Sequence, residues 1–115
     1  MTKKLIMILG LVLSSMLMKA QAFFVPFPKA GDKYWQKQVP VAMRNDYIRL
    51  GNLYQKKPWN AIPAETFAEF RTNGNRTRYE EASFGIRKQF VCLVMAEIMQ
   101  GRGRFLPSIR KGLHY

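Results

Sequence analysis

Two glycine-containing turns carry the residues whose types and spacing suit the binding of an anion. The first turn holds Asn75, Arg76 and Arg78, and the second turn holds Arg104. A guanidinium group can meet a carboxylate or a sulfate with paired hydrogen bonds, so arginines are well suited to acidic sugars. These four residues are therefore the candidate substrate-binding residues. Asn75 also has a structural interpretation, because an asparagine that follows a glycine is a common turn former.

The arginines have a structural alternative that involves a carboxylate. Glu97 lies within an apolar segment, residues 90–99, in which a buried and unpaired carboxylate would cost about 3–5 kcal/mol. We therefore predict that Glu97 forms a structural ion pair with an arginine of one of the two turns. Arg76 and Arg104 are the leading candidates, and Glu80 is a second carboxylate with which they can pair.

Metal and cofactor chemistry have little support in this sequence. Cys92 is the single cysteine and His114 the single histidine, and they lie far apart in the chain. Glu65 and Glu69 are spaced by one helical turn, but without further ligands they do not make a zinc site. A glycine-rich nucleotide-binding fingerprint is also missing. We expect no metal site, no cofactor and no disulfide, with Cys92 acting as a small buried apolar residue.

The first 22 residues have the pattern of a secretory signal peptide. Lys3 and Lys4 precede an apolar stretch, and residues 20–22 match an A-x-A cleavage site. The apolar stretch is shorter than the about 20 residues that span a membrane, although a retained N-terminal anchor is the alternative. We expect cleavage before Phe23, export to the periplasm or the extracellular space, and no membrane association of the processed chain.

The chain is strongly basic. It carries a formal net charge of +12, and because residues 1–22 contain three lysines and no acidic residue, the other 93 residues carry +9. Such a surface attracts polyanions. For an exported protein we expect an acidic polysaccharide, rather than a nucleic acid, as the partner.

The pattern of apolar residues predicts an all-α chain. Residues 23–39 contain two prolines and are predicted to be an extended segment, whereas residues 40–115 are predicted to be helical. The predicted helices cover about residues 40–56, 64–73, 79–100 and 108–113. No segment has the alternation of a strand. The long apolar helix needs cover on several sides, which favours the first part of a larger helical domain.

Several sequence patterns between residues 40 and 113 occur together in one family of enzymes. They are Trp59-x-x-Ile62-Pro63-Ala64, Phe70, Gly74-Asn75-Arg76-x-x-Tyr79-Glu80, Arg87, Leu93-Val94-x-Ala96-Glu97, Gly101-x-Gly103-Arg104-Phe105-Leu106, Ile109 and Gly112-Leu113. In this combination the chain resembles the N-terminal region of the heparinase II/III family of polysaccharide lyases.

The resemblance implies an exported bacterial protein with an α/α toroid, followed by a β-sandwich domain, that cleaves acidic polysaccharides by β-elimination. It also implies that the catalytic Asn, His and Tyr of the family lie in later toroid helices, so His114 and Tyr115 receive no catalytic role. The expected function is that of an N-terminal fragment of such a lyase, inactive without the missing C-terminal part of the parent protein. The alternatives are a small cationic exported protein that binds glycans without catalysis, and a purely structural helical module.

Overall fold

The computed structural model describes residues 2–21 and 26–115, with side chains for residues 2–13 and 26–115. The described residues form six helices and no strand, which confirms the prediction of an all-α chain. The helices are α1 (Thr2–Gln21), α2 (Lys33–Gln38), α3 (Val41–Gln55), α4 (Ala64–Asn73), α5 (Thr77–Gln100) and α6 (Leu106–Gly112).

Local signals fix the boundaries around α4 and α5. Gly74 ends α4 with a left-handed φ of 74°, a conformation that glycine adopts without steric cost. The helix α5 begins at Thr77, slightly earlier than predicted, because the Asn75 side chain accepts a hydrogen bond from the Thr77 N–H. The helix α6 likewise begins earlier than predicted, at Leu106, with a proline in its first turn.

The prediction of an extended segment over residues 23–39 is wrong for Lys33–Gln38, which form α2. The Asp32 carboxylate accepts a hydrogen bond from the Tyr34 N–H at 2.8 Å and thereby satisfies one of the free donors at the helix start. Residues 26–29 contain no helix. The two prolines before Gly31 therefore exclude a helix only from the first part of this segment, residues 26–29.

The helix α1 covers most of the predicted signal peptide and has an exposed apolar surface. Leu5, Ile6 and Met7 are 69%, 67% and 69% exposed. Within the described part of the chain, no helix has the length and apolar character required to cross a membrane. The expected cleavage site before Phe23 lies outside the described residues.

The core lies where α5 packs against α3 and α6. Leu93 and Ala96 of α5 and Phe105 of the following turn are fully buried. Gly51 of α3 faces this cluster, and a Cβ atom added to it would overlap the Cβ of Ala96. The two long helices can therefore approach closely only because residue 51 has no side chain.

Burial of α5 is one-sided. Cys92 is buried, as predicted, but Val91 is 55% exposed, and Phe84 on the preceding turns is 58% exposed. On α4, Phe67 and Phe70 are 57% and 50% exposed. One apolar side of the α4–α5 pair is thus left open.

Backbone contacts hold the segment before α2 to the end of α5. The Gly31 N–H donates a hydrogen bond to the Ile98 carbonyl at 2.8 Å. Gly31 and Gly101 pack against each other so closely that a Cβ on Gly101 would overlap the Gly31 backbone. Both glycines also have left-handed φ values, 75° and 66°.

Candidate functional site

Ion pairs occupy the arginines of the first turn, between α4 and α5. Arg78 Nη1 lies 2.9 Å from Glu69 Oε1, and Arg76 Nη2 lies 3.0 Å from Glu80 Oε1. The Arg76 guanidinium also lies 5.8 Å from the ring centroid of Phe70. Both arginine side chains are about two-thirds exposed, 66% and 68%, so each pair contributes only about 0–1 kcal/mol. Even so, the two carboxylates offset the positive charge that the arginines could present to an anionic ligand.

Asn75 has hydrogen bonds within the turn. Its Oδ1 accepts a hydrogen bond from the Thr77 N–H at 3.0 Å, and its own N–H donates to Asn73 Oδ1 at 2.8 Å. Hydrogen bonds of this kind, from a backbone N–H to an Asn side chain two residues before it, stabilise turns. The structure gives Asn75 the turn-forming role that its position after Gly74 suggested.

Glu97 is buried, with 6% exposure, but its partners are backbone groups rather than an arginine. Oε1 accepts a hydrogen bond from the Gly103 N–H at 2.6 Å, and Oε2 accepts one from the Phe105 N–H at 3.1 Å. Arg104 instead donates from Nε to Gln100 Oε1, and its guanidinium lies 4.5 Å from the Phe105 ring centroid. Among the described residues no ion pair involves Glu97, so the predicted pairing is wrong. The buried carboxylate is stabilised instead by backbone N–H groups, which need a hydrogen-bond acceptor wherever they are buried.

A cleft of about 460 Å³ lies between the α3–α4 connection and α6. Two aromatic residues, two lysines and a histidine line it, and none of the lining side chains is acidic or an arginine. Aromatic rings pack against the apolar faces of sugars, and ammonium groups attract anionic substituents. The lining residues are Gln55, Lys57, Pro58, Trp59, Ser108, Lys111, His114 and Tyr115.

Three contacts fix the Trp59 indole in the wall of this cleft. Its Nε1–H donates a hydrogen bond to the Ser108 carbonyl at 2.9 Å. Its ring is nearly parallel to that of Tyr115, with an angle of 18° and 6.3 Å between centroids. It also packs on buried Gly112, where an added Cβ would overlap the indole. The orientation of the ring is therefore set before any ligand binds.

The two lysines of the cleft come from different elements. The backbone of Lys57 is held to α5, because its carbonyl accepts a hydrogen bond from Gln89 Nε2 at 3.2 Å. The Lys57 ammonium lies 4.8 Å from the Tyr54 ring centroid. Lys111 lies in the last turn of α6, a position that the helix dipole favours for a cation. Both lysines are exposed, and both line the cleft.

Sequence reasoning placed the site at the arginine turns and did not identify this cleft. The cleft depends on the contact between Trp59 and Ser108, which are 49 positions apart in the chain. The one signal in the sequence was the Trp59 pattern within the family resemblance. His114 and Tyr115, which received no role from the sequence, line the same cleft.

No protein-family model matches the chain, and no curated protein matches it significantly. The described residues also contain no group of three or more His, Cys, Asp or Glu side chains placed to hold a metal ion.

Proposed function

We propose that this chain is an exported protein that binds acidic polysaccharide, and that it is the N-terminal helical region of a heparinase II/III-like lyase. In this proposal helices α3 to α6 are the first helices of an α/α toroid, and α1 belongs to a signal peptide. The observation that carries the proposal is the cleft in which Lys57, Lys111 and the Trp59 ring come together. The net charge of +9 after residue 22 and the family resemblance support it.

The role proposed for this region is binding rather than bond cleavage. β-Elimination at a uronic acid needs a group that neutralises the substrate carboxylate, a base for the C5 proton and an acid for the leaving oxygen. Lys57 and Lys111 can supply the first of these. The catalytic Asn, His and Tyr of the resembled family belong to later helices, so we assign no elimination step to these residues.

The first prediction concerns the purified 115-residue chain on immobilised heparan sulfate, chondroitin sulfate, hyaluronan and alginate. We expect retention that is lost as salt is raised, because exposed ion pairs are screened. Incubation with the same glycans should produce none of the ultraviolet absorbance of the unsaturated elimination product. Absence of retention at low salt would contradict the proposal. Turnover that His114→Ala or Tyr115→Phe abolishes would contradict the assignment of binding alone.

A glycan-binding protein without catalysis would also be retained and inactive. The DNA downstream of the coding sequence separates the two hypotheses. A reading frame that continues into further toroid helices favours the lyase, and a terminator followed by a separate promoter favours the binding protein.

A further inference from the structure

We propose that a pocket between α4 and the start of α5 binds a small zwitterion that carries a quaternary ammonium group and a carboxylate. The pocket has a volume of about 310 Å³, at the lower end of the range of small-molecule sites. Its lining residues are Phe67, Phe70, Arg76, Tyr79 and Glu80. This inference goes beyond the proposed function and does not depend on it, because the cleft at Trp59 is lined by other residues.

Three aromatic residues make the pocket suitable for an organic cation. The rings of Phe67 and Tyr79 lie edge to face, with 5.5 Å between their centroids and an angle of 64°. Phe67 is 57% exposed and Phe70, one turn later in α4, is 50% exposed, although phenylalanine is usually a buried residue. The face of an aromatic ring attracts positive charge, so exposed rings that line a concave surface favour a cationic ligand.

The Arg76 side chain shows where a cation can lie in this pocket. Its guanidinium carbon lies 5.8 Å from the ring centroid of Phe70, and its Nη2 lies 3.0 Å from Glu80 Oε1. One aromatic ring and one carboxylate therefore contact the same positive charge. The Arg76 side chain is 66% exposed, and an ion pair with this exposure is weak. The guanidinium can therefore give way to the cation of a ligand.

The charges of the pocket favour a zwitterion over a simple cation or a simple anion. Its lining includes one positive side chain, Arg76, and one negative side chain, Glu80, and the strongly basic chain repels a purely cationic ligand. A ligand cation that takes the place of the guanidinium beside Glu80 leaves Arg76 without its partner. A carboxylate on the same ligand supplies a new one. Each charge then has a partner of opposite sign both before and after binding.

The small number of acceptors in the pocket favours a quaternary ammonium group. A primary ammonium has three N–H donors that need acceptors. Of the described side chains that line the pocket, the Glu80 carboxylate and the Tyr79 hydroxyl are the two that can accept a hydrogen bond. A trimethylammonium group has no N–H, and contact with aromatic rings is a recurring way in which proteins recognise it.

The test measures ligand binding to the full 115-residue chain. Titration calorimetry gives the affinity, and nuclear magnetic resonance measures saturation transfer from the protein to the methyl groups of the ligand. The probes are glycine betaine, choline, which lacks the carboxylate, and the tert-butylacetate anion, in which carbon replaces the charged nitrogen. We expect glycine betaine to bind most tightly, and tert-butylacetate to bind about fivefold or more weakly because it lacks the cation.

Phe84 provides a matched control for Phe70. Each ring is at least half exposed and lies 5.8 Å from an arginine guanidinium, which is that of Arg87 in the case of Phe84. Phe84 is part of α5 but not of the pocket lining in the described structure. Phe70→Leu should weaken the binding of glycine betaine by about fivefold or more, whereas Phe84→Leu should leave it unchanged. Circular dichroism shows whether each variant is folded.

Arg76→Gln separates a role in ligand binding from a role in folding. The substitution removes the guanidinium that competes for Phe70 and Glu80, so choline should bind more tightly than it does to the unchanged chain. It also removes the partner of the ligand carboxylate, so glycine betaine should lose its advantage over choline. A purely structural loss would weaken the binding of both ligands.

Each of the other outcomes overturns a defined part of this inference. Absence of saturation transfer to glycine betaine would overturn the site itself. Equal binding of tert-butylacetate would overturn the cationic ligand class, and tighter binding of choline to the unchanged chain would overturn the zwitterion. If Phe84→Leu weakens binding as much as Phe70→Leu, the pocket is not the site. Retention on polysaccharide tests the proposed function separately, and its result leaves this inference unaffected.

Discussion

Glu97 illustrates how a buried carboxylate can be stabilised without a cation. Gly101 and Gly103 have left-handed φ values of 66° and 74°, which turn the chain back over the end of α5. The N–H groups of Gly103 and Phe105 then meet the two carboxylate oxygens. An added arginine would have brought a second charge that needs desolvation, whereas these donors have to be satisfied wherever they are buried.

At the scale of this residue we predict the effect of Glu97→Ala on amide hydrogen exchange. Hydrogen bonds to charged groups contribute about 1.5–3 kcal/mol, so the amides of Gly103 and Phe105 should exchange much faster in the variant. Nuclear magnetic resonance measures the exchange of each amide. Glu81→Ala removes an exposed carboxylate from the same helix and should leave both amides unaffected. Unchanged protection of Gly103 and Phe105 in Glu97→Ala would show that these hydrogen bonds are not formed.

At the scale of the elements, two basic regions compete for an anionic ligand. The α4–α5 turn carries Arg76 and Arg78, and the cleft carries Lys57 and Lys111. They differ in that glutamates pair with the arginines, whereas no acidic side chain lines the cleft. The lysines should therefore dominate binding.

We predict that the double variant Lys57→Ala/Lys111→Ala loses about tenfold or more in affinity for immobilised chondroitin sulfate. Arg76→Ala/Arg78→Ala makes the same change in net charge and should lose much less, because it also frees two glutamates that were already offsetting the arginines. Affinity is measured at one fixed salt concentration. Equal losses would indicate diffuse attraction by net charge, and a larger loss for the arginine variant would move the site to the turn.

The helices that the sequence predicted best are those whose ends are marked by particular residues, such as proline or glycine. The helix α4 was predicted over its observed residues because Pro63 starts it and Gly74 ends it. The helix α2 was missed because the prolines before it dominated the interpretation of the whole segment, whereas the Asp32 cap acts over only two residues. The partner of Glu97 was missed for a different reason. Backbone donors have no signature in the sequence, and they reach Glu97 only after the turn has folded.

The cleft could not be predicted from the sequence because it forms only where two separate parts of the chain pack together. Its aromatic wall requires Gly112 of α6 to pack beneath Trp59 of the α3–α4 connection. A glycine near the end of a short helix normally indicates a helix terminus, and nothing in its neighbours specifies a contact with a distant indole. The arginine turns, in contrast, were visible because their residues are contiguous.

At the scale of the whole molecule, a small core contrasts with a large exposed apolar surface. The central cluster of buried apolar residues consists of Leu93, Ala96 and Phe105. Phe67, Phe84 and many other large apolar side chains of the described residues are at least half exposed. Hydrophobic burial is the main favourable contribution to folding, so stability should be marginal.

We therefore predict that residues 23–115 alone unfold over a broad temperature range and bind a hydrophobic dye already at low temperature. Loose packing with exposed apolar surface produces both signs. Circular dichroism follows unfolding, and dye fluorescence reports the exposed surface. A sharp two-state transition with little dye binding would contradict this prediction and indicate an autonomous domain.

The contact between Gly31 and the end of α5 has a consequence for the order of events during synthesis. The Gly31 N–H binds the carbonyl of Ile98, and Gly31 packs against Gly101, so its docking site lies much later in the chain. The ribosome makes the N-terminal segment first. The segment around Gly31 cannot pack against the end of α5 until residue 101 has left the ribosome. Until then this segment stays available to factors that act on nascent chains.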